Sequence, residues 1–248
     1  MFIFGISGAV GRLLARELVE RGNQVHGLVR REAQRAELAG GGADAYVGEL
    51  AELTADSLAA MIRGVDAVVY TAGSNGRDWK VTTAIDGDGV VKALEATCMA
   101  GVLRFALVSV LPEAGRGQHL GDEKESYYAV KKLVDVIVSE SPLEWLILRP
   151  SVLVERAGTG GICLGPAQPY DEITREDVVT GQTRPCRRAL RVWVCSRLSA
   201  RLTASVGTGA ARPACVRCRR HLGKPCPPGS SPWWCSCRSG YPVRRPGD

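Results

Sequence analysis

Nowhere in the 248 residues does an apolar run approach the roughly 20 residues that a membrane-spanning helix needs. The N-terminus also lacks a charged segment followed by a short apolar one, so no secretory leader is expected and the chain reads as cytoplasmic. Acids are nearly missing from the last part. Residues 179–248 hold 14 Lys and Arg against Asp248 alone, a net of +13, whereas residues 1–178 hold 18 Lys and Arg against 25 Asp and Glu, a net of −7. The whole-chain charge of +6 therefore describes neither half, and it gives no ground for expecting nucleic-acid binding by the first part. Seven of the nine cysteines lie in the same late stretch. A disulfide framework does not suit a cytoplasmic chain, so they are expected as free thiols.

What is present begins at the first residue. The apolar stretch Phe2–Phe4 runs into Gly5, Gly8 and Gly11, and then Val10, Leu13, Leu14 and Leu18 repeat at helical spacing as far as Gly22. A strand, a glycine turn and a helix make a cradle for a diphosphate. Gly5 permits the tight turn, Gly8 lets the backbone approach the anion, and Gly11 lets the helix sit close on the strand. Ser7 adds a hydroxyl. The spacing is G-x-x-G-x-x-G rather than the commoner G-x-G-x-x-G, so the position between strand and amphipathic helix carries much of the inference.

Five more strands follow: Gln24–Val29, Asp44–Gly48, Ala67–Tyr70, Arg104–Val108 and Glu144–Leu148. Helical patterns separate them, among them one capped by Thr54 and one carrying Val90, Val91, Leu94 and Cys98. The alternation predicts an α/β fold, a Rossmann-like doubly wound parallel sheet with helices on both faces, over residues 1–179. Arg30 and Arg31 close the second strand, where an acid would meet a free ribose 2′-hydroxyl. Two arginines instead suit a 2′-phosphate, so NADP(H) is expected over NAD(H). Ala72 and Gly73 are small residues at the carboxyl end of the fourth strand, where ligands lie in such sheets.

Several stretches resemble the atypical short-chain dehydrogenase/reductases, and within them the NAD(P)H-binding, NmrA-like group. They are Gly5-Ile-Ser-Gly8-Ala-Val-Gly11, Glu49-Leu50, Ile85-Asp-Gly-Asp-Gly89, Ala100-Gly-Val-Leu-Arg-Phe105, Leu107-Val-Ser109 and Leu148-Arg-Pro150. The resemblance covers about residues 1–178. It implies that the whole elbow, Ser7, Ala9 and Val10 included, contacts the dinucleotide. It further implies that Glu49 and Leu50 lie at the adenine, where family members commonly carry Asp in place of Glu49, and that Pro150–Val152 face the nicotinamide.

Tyr127 and Lys131 form a Y-x-x-x-K pair on one face of the helix after the fifth strand. Tyrosine, with an ordinary pKa of about 10, is a poor proton donor and acceptor at neutral pH unless a cation lowers that value. Lys131 is expected to supply the cation and to hydrogen-bond the nicotinamide ribose. Tyr128 and Lys132 make an overlapping pair; the family's lysine helix matches Lys131-Lys-Leu-Val-Asp135 and so favours Tyr127. By the same resemblance Ser109 orients a substrate oxygen. The expected function is an NADP(H)-dependent oxidoreductase or epimerase-like enzyme on a small carbonyl or hydroxyl substrate. The alternative is a redox sensor that binds the dinucleotide without turning it over. No metal site is expected in this part. Asp86 and Asp88 read as acids favouring a helix dipole, Trp79 and Trp145 as packing residues, with Trp79 also a lid element in an alternative reading. His119 and the segments 111–122 and 154–170 read as the substrate-side loops.

Thr174-Arg-Glu-Asp177 is a capping box, yet apolar periodicity stops at Val179. Residues 180–248 then turn rich in Arg, Cys and Pro. Three readings compete. Translation in a shifted frame fits the loss of acids and of periodicity, and implies a disordered tail. Cys215, Cys218, His221 and Cys226 could ligate zinc, although the C-x-x-C spacing occurs once only. Leu190, Val194, Leu198 and Leu202 among arginines could form a basic amphipathic helix. If the tail supplies no covering helix, one sheet face stays apolar and is a route to association.

Overall fold

In the computed structural model, β1 (Phe2–Phe4) runs through the middle of a sheet, with all three side chains fully buried. Covered on both faces, such a strand reads as an unbroken apolar run rather than an alternation. β2 (His26–Val29) and β4 (Val68–Tyr70) flank it, β3 (Asp44–Val47) lies outside β2, and β5 (Arg104–Val108) and β6 (Glu144–Pro150) continue beyond β4. All these pairings are parallel, in the order β3-β2-β1-β4-β5-β6. That is the doubly wound Rossmann-like arrangement expected, its order reversing between β1 and β4, which opens a crevice at their carboxyl ends. The residues described are 1–76, 78–111, 121–160, 163–164, 172–180 and 191–196, all within the unit Met1–Leu198.

Helices cover both faces. On one, α3 (Ala55–Ile62), α5 (Gly89–Met99) and α6 (Asp122–Glu140) bury Leu58, Ile62, Val90, Leu94, Val134 and Val138 against Phe2, Phe4, Tyr70, Phe105 and Ile147. On the other, α1 (Ala9–Glu20) lays Leu14 and Ala15 against Ile3, Ile6, Val29 and Val69. Each large apolar side chain removed from water contributes about 1.5–3 kcal/mol, so the central strands anchor the sheet. Thr54 caps α3 by accepting the Ser57 N–H at 3.2 Å, as its place in the sequence predicts. α2 (Glu32–Gly40) begins directly after the arginine pair.

The chain between β4 and α5 departs from a simple helix start. A single turn, α4 (Trp79–Val81), passes into a π-helical stretch over Thr82–Asp88, and α5 continues from it. Trp79 is 58% exposed, so it does not pack as expected, whereas Trp145 is buried in the core.

After β6 the chain forms β7 (Val152–Val154), which pairs in parallel with β9 (Glu172–Thr174), and then a short helix, α7 (Arg175–Thr180). The capping box does start a helix: Thr174 Oγ1 accepts the Asp177 N–H at 3.0 Å. Val179 joins the α1 side of the core, and Val178 packs with Leu148 and Ile173. Within the compositionally distinct stretch, residues 191–196 form β10 (Arg191–Ser196), antiparallel to β6 and parallel to β8 (Cys163–Leu164). A helix through Val194 is thereby corrected to a strand. Residues 180 to 190 and 197 to 248 otherwise contribute only Thr180 to the description, so the proposed zinc ligands, His119 and most of the substrate-side loops lie outside the described residues.

Candidate cofactor and active site

The glycine elbow has the geometry its sequence demands. Gly5 has φ +81°, and a Cβ there would stand 2.4 Å from the Ala72 nitrogen; a Cβ on Gly11 would stand 2.2 Å from the Gly5 carbonyl oxygen. Both positions therefore exclude any side chain. The Gly8 N–H donates to the Gly5 carbonyl at 2.9 Å and closes the turn. α1 has no side-chain cap and no acid in its first turn. Its leading N–H groups and the positive end of its dipole thus face the crevice, the environment that binds an anion. The elbow suits a diphosphate on these observations alone.

A cleft of about 360 Å³ runs along the strand ends. Of the residues expected to hold the dinucleotide, it brings together Gly5, Ser7, Gly8, Ala9, Val10, Arg30, Glu49, Leu50, Ala72, Gly73 and Lys131, with Ser109 and Tyr127 in the same wall. Three expected members lie outside the wall. Gly11 is buried beneath the elbow, where it acts through close packing. Arg31 is the N-cap residue of α2, and Arg30 is the arginine of the pair that lines the cleft. The Pro150 carbonyl accepts the Leu111 N–H at 3.1 Å, and Leu153 of the next strand lines the cleft.

The strand ends are held from behind. Gln34, buried at the start of α2, accepts the N–H groups of Arg30 and Arg31, each at 3.2 Å, and so fixes the backbone from which Arg30 projects. Lys92 of α5 donates to the carbonyls of Leu50, Ala51 and Leu53 at 2.7, 2.9 and 3.0 Å, which closes the loop that presents Glu49 and Leu50.

At the other end stand Tyr127 and Lys131. Lys131 Nζ lies 5.7 Å from the centre of the Tyr127 ring, and both residues line the cleft, whereas Tyr128 and Lys132 are not among its lining residues. The cation does not act on the tyrosine as expected. Lys131 is almost wholly buried, and its ammonium lies 2.7 Å from Oδ1 of Asp86, which has no exposed surface. Burial raises the Tyr127 hydroxyl far above its ordinary value, and the charges of Asp86 and then Tyr128 raise it further. Tyr70, buried below and donating to the Ile85 carbonyl, is raised by the same two causes, burial first and then Asp86. Tyr127 in this state is a neutral hydroxyl and a donor, not a base.

Asp86 is a buried, paired carboxylate rather than the helix-dipole acid its sequence context suggests. The π-helical stretch turns its carboxylate inward, where Oδ2 accepts the Ser74 N–H at 2.8 Å while Oδ1 faces Lys131. It thereby ties the Gly73–Ser74 loop to α6. Such π-helical departures are frequent at functional sites. Asn75 (φ 61°), Ile85, Leu153 and Arg175 also line the cleft without having been singled out. The signal available was an acid inside an otherwise apolar, glycine-containing helix, though nothing in it named the lysine it would meet.

Ser109 lies at the end of β5, its N–H donating to the Leu148 carbonyl at 2.7 Å. Its buried hydroxyl faces Asp135 short of an aligned hydrogen bond. Burial raises the Asp135 carboxyl above the ordinary carboxylate range, against the lowering pull of Ser109 and of Arg149, whose Nε donates at 2.6 Å. A serine, a tyrosine and a lysine thus line one wall of the cleft, residue types that can hold a carbonyl oxygen. Among the described residues no group of three or more His, Cys, Asp or Glu could hold a metal ion, and no helix is long and apolar enough to cross a membrane.

Comparison with known proteins agrees with this geometry. A protein-family model described as NAD(P)H-binding matches residues 5–180. YhfK of Bacillus subtilis, described as an uncharacterised sugar epimerase, is 33% identical over 180 residues, covering 72% of this chain and 83% of that protein. A UPF0659 protein of Saccharomyces cerevisiae is 32% identical over 193 residues, covering 72% of this chain and 82% of the relative. Among solved structures, a Bacillus halodurans protein described as an NAD-dependent epimerase/dehydratase superposes with a TM-score of 0.66 at 28% identity, covering 80% of this chain and 94% of that one. With the elbow, the strand order and these matches in agreement, the chain belongs to the NAD(P)H-binding family of Rossmann-like proteins.

Proposed function

We propose that this chain is an NADP(H)-dependent oxidoreductase or epimerase-like enzyme acting on a small carbonyl or hydroxyl compound. The observation that carries the reading is the presence of Tyr127, Lys131 and Ser109 in the same cleft wall as the glycine elbow and Arg30. In this reading the elbow amides hold the diphosphate, Arg30 meets the 2′-phosphate, and Lys131 donates to a ribose hydroxyl. The coenzyme supplies or accepts hydride when bound. Ser109 and the Tyr127 hydroxyl hold the substrate oxygen, and Tyr127 passes its proton there as charge develops on that oxygen. Membership of the atypical short-chain dehydrogenase/reductases fits the same residues.

A second reading, a sensor that binds the dinucleotide without turnover, draws support from one feature: the Lys131 charge faces Asp86, and Tyr127 is raised rather than lowered. Titration with NADPH and NADH followed by a carbonyl and sugar-nucleotide screen separates the two. An enzyme carrying Tyr127→Phe keeps its coenzyme affinity and loses turnover by at least about 100-fold, the usual scale of general acid–base catalysis. No turnover by the parent chain on any screened compound, together with tight NADPH binding, would establish the sensor instead.

A further inference from the structure

The cations among the described cleft-lining residues are Arg30, Lys131 and Arg175. Their surroundings differ. Lys131 faces a fully buried carboxylate. Arg30 projects from the end of β2. Arg175 comes from the first residue of α7, on the far side of the cleft. The ends of β2 and of β6, on whose Leu148 the residues flanking Arg175 pack, are four strand spacings apart, about 19 Å, so the two arginines start from opposite ends of the cleft.

The Arg175 corner is shaped by packing. Ile173 and Val178, on either side of it in the chain, are buried against Leu148, with Val10, Val108 and Leu153 packed around them. The corner therefore lies between the first turn of α1 and the end of β5, beside Ser109. Asp177 holds α7 in place by accepting the N–H groups of Thr159 and Gly160 at 2.8 and 2.7 Å, so the base of the arginine is set. The Arg175 side chain is 24% exposed, and its Nη1 is shielded from solvent. The carboxylate beside that nitrogen, Glu155 Oε1 at 2.7 Å, belongs to a side chain that is 81% exposed and makes no aligned hydrogen bond to it. Only the carboxylate of this pair is exposed, and held by no aligned hydrogen bond it is readily exchanged, whereas a guanidinium beside apolar walls binds an entering oxyanion in a fork.

We propose that Arg175 is a binding residue for an oxyanion, a carboxylate or phosphate group, which displaces Glu155 at the Ser109 end of the cleft. The proposal rests on the reading of the cleft as a coenzyme and substrate site, and it gives that site a substrate class: a small carbonyl or hydroxyl compound carrying an anionic group. The same chemistry has a second source in the diphosphate of the coenzyme, since Val10 of the elbow borders the corner.

Inorganic phosphate and malonate are the probes, titrated calorimetrically into the parent chain, Arg175→Met and Glu155→Gln, each checked for an unchanged thermal midpoint. Because the elbow also attracts anions, the signal is the difference between parent and variant. Arg175→Met is expected to weaken one anion site at least 10-fold, and Glu155→Gln to strengthen it several-fold by removing the competitor. If the site persists in NADPH-saturated protein, the oxyanion is the substrate's; if NADPH displaces it and Arg175→Met weakens NADPH 10-fold, it is the coenzyme's. Anion affinity unchanged in Arg175→Met overturns the proposal. Should that variant fail to fold, anion affinity unchanged in Glu155→Gln overturns it equally. Failure of NADPH to bind the parent chain would overturn the coenzyme reading, while the anion titrations still decide the role of Arg175.

Discussion

Replacing Asp86 by asparagine tests the buried centre of the site. Asp86 is fully buried and Lys131 nearly so, and the two meet at 2.7 Å. An asparagine keeps the shape and still accepts the Ser74 N–H, now at 2.8 Å, so the perturbation is chiefly the loss of one charge. It leaves the Lys131 ammonium in a desolvated place with only the more distant Asp135, already paired with Arg149, as a counter-charge. Breaking a buried pair in this way typically costs about 3–5 kcal/mol. For a chain of this size that corresponds to a fall in thermal midpoint of roughly 6–20 °C, at about 2–4 °C per kcal/mol. Lys131→Met alone strands the carboxylate and is expected to cost a similar amount. The double variant removes both charges and should recover at least about 2 kcal/mol of the summed losses, because two apolar or neutral groups of similar volume tolerate burial. Urea unfolding of the four proteins measures the cycle. A loss below about 1 kcal/mol in Asp86→Asn, or additive losses in the double variant, would refute the claim that the pair is desolvated and coupled.

Other consequences follow from the same geometry. Gly11→Ala is expected to abolish coenzyme binding and lower stability, since its Cβ would stand 2.2 Å from the Gly5 carbonyl oxygen; unchanged NADPH titration and melting would contradict the close packing of the elbow. Arg30→Ala should weaken NADPH at least about 10-fold with little change for NADH, in keeping with one lost charge-assisted contact, while Arg31→Ala should leave both alone. The acid limb of stability should depend on Asp177. Burial raises its carboxyl, but the hydrogen bonds from Thr159, Thr174 and Gly160 outweigh that and lower it below its ordinary value. Its contribution is then fully present above the unfolded value, near pH 4, and is lost as pH falls through the lower folded value. Asp177→Asn should flatten the fall in thermal midpoint between pH 5 and pH 2, and an unaltered slope would sink the assignment.

Much of the architecture was legible in one dimension because the interactions that carry it are local or periodic. The elbow shows how. A strand, three glycines and a helix are neighbours in sequence, and the steric demand at Gly11 arises against Gly5 and Ile6, a few positions away, whereas the contact of Gly5 with Ala72 is made only when β4 packs beside β1. Apolar strand runs at regular intervals with helical stretches between them leave few sheets to choose from, since crossover connections have one hand. The second strand's arginines were visible for the same reason. Which of them lines the cleft was not, because that depends on how the end of β2 and the start of α2 sit against the rest of the sheet.

The fold class, the glycine elbow and the placing of Tyr127 and Lys131 on one helical face follow from residue order, because they depend on periodicity and on glycine spacing along the chain. Only the tertiary structure decided what charge each of those groups meets. Asp86 lies on a different helix from Lys131, and its role turned on the π-helical stretch that rotates its carboxylate inward. Arg175 and Leu153 reach the cleft through the pairing of β7 with β9, a contact between distant segments that no local pattern encodes. Electrostatic partnership depends on distance and burial in space, and neither is written in the spacing of residues along the chain.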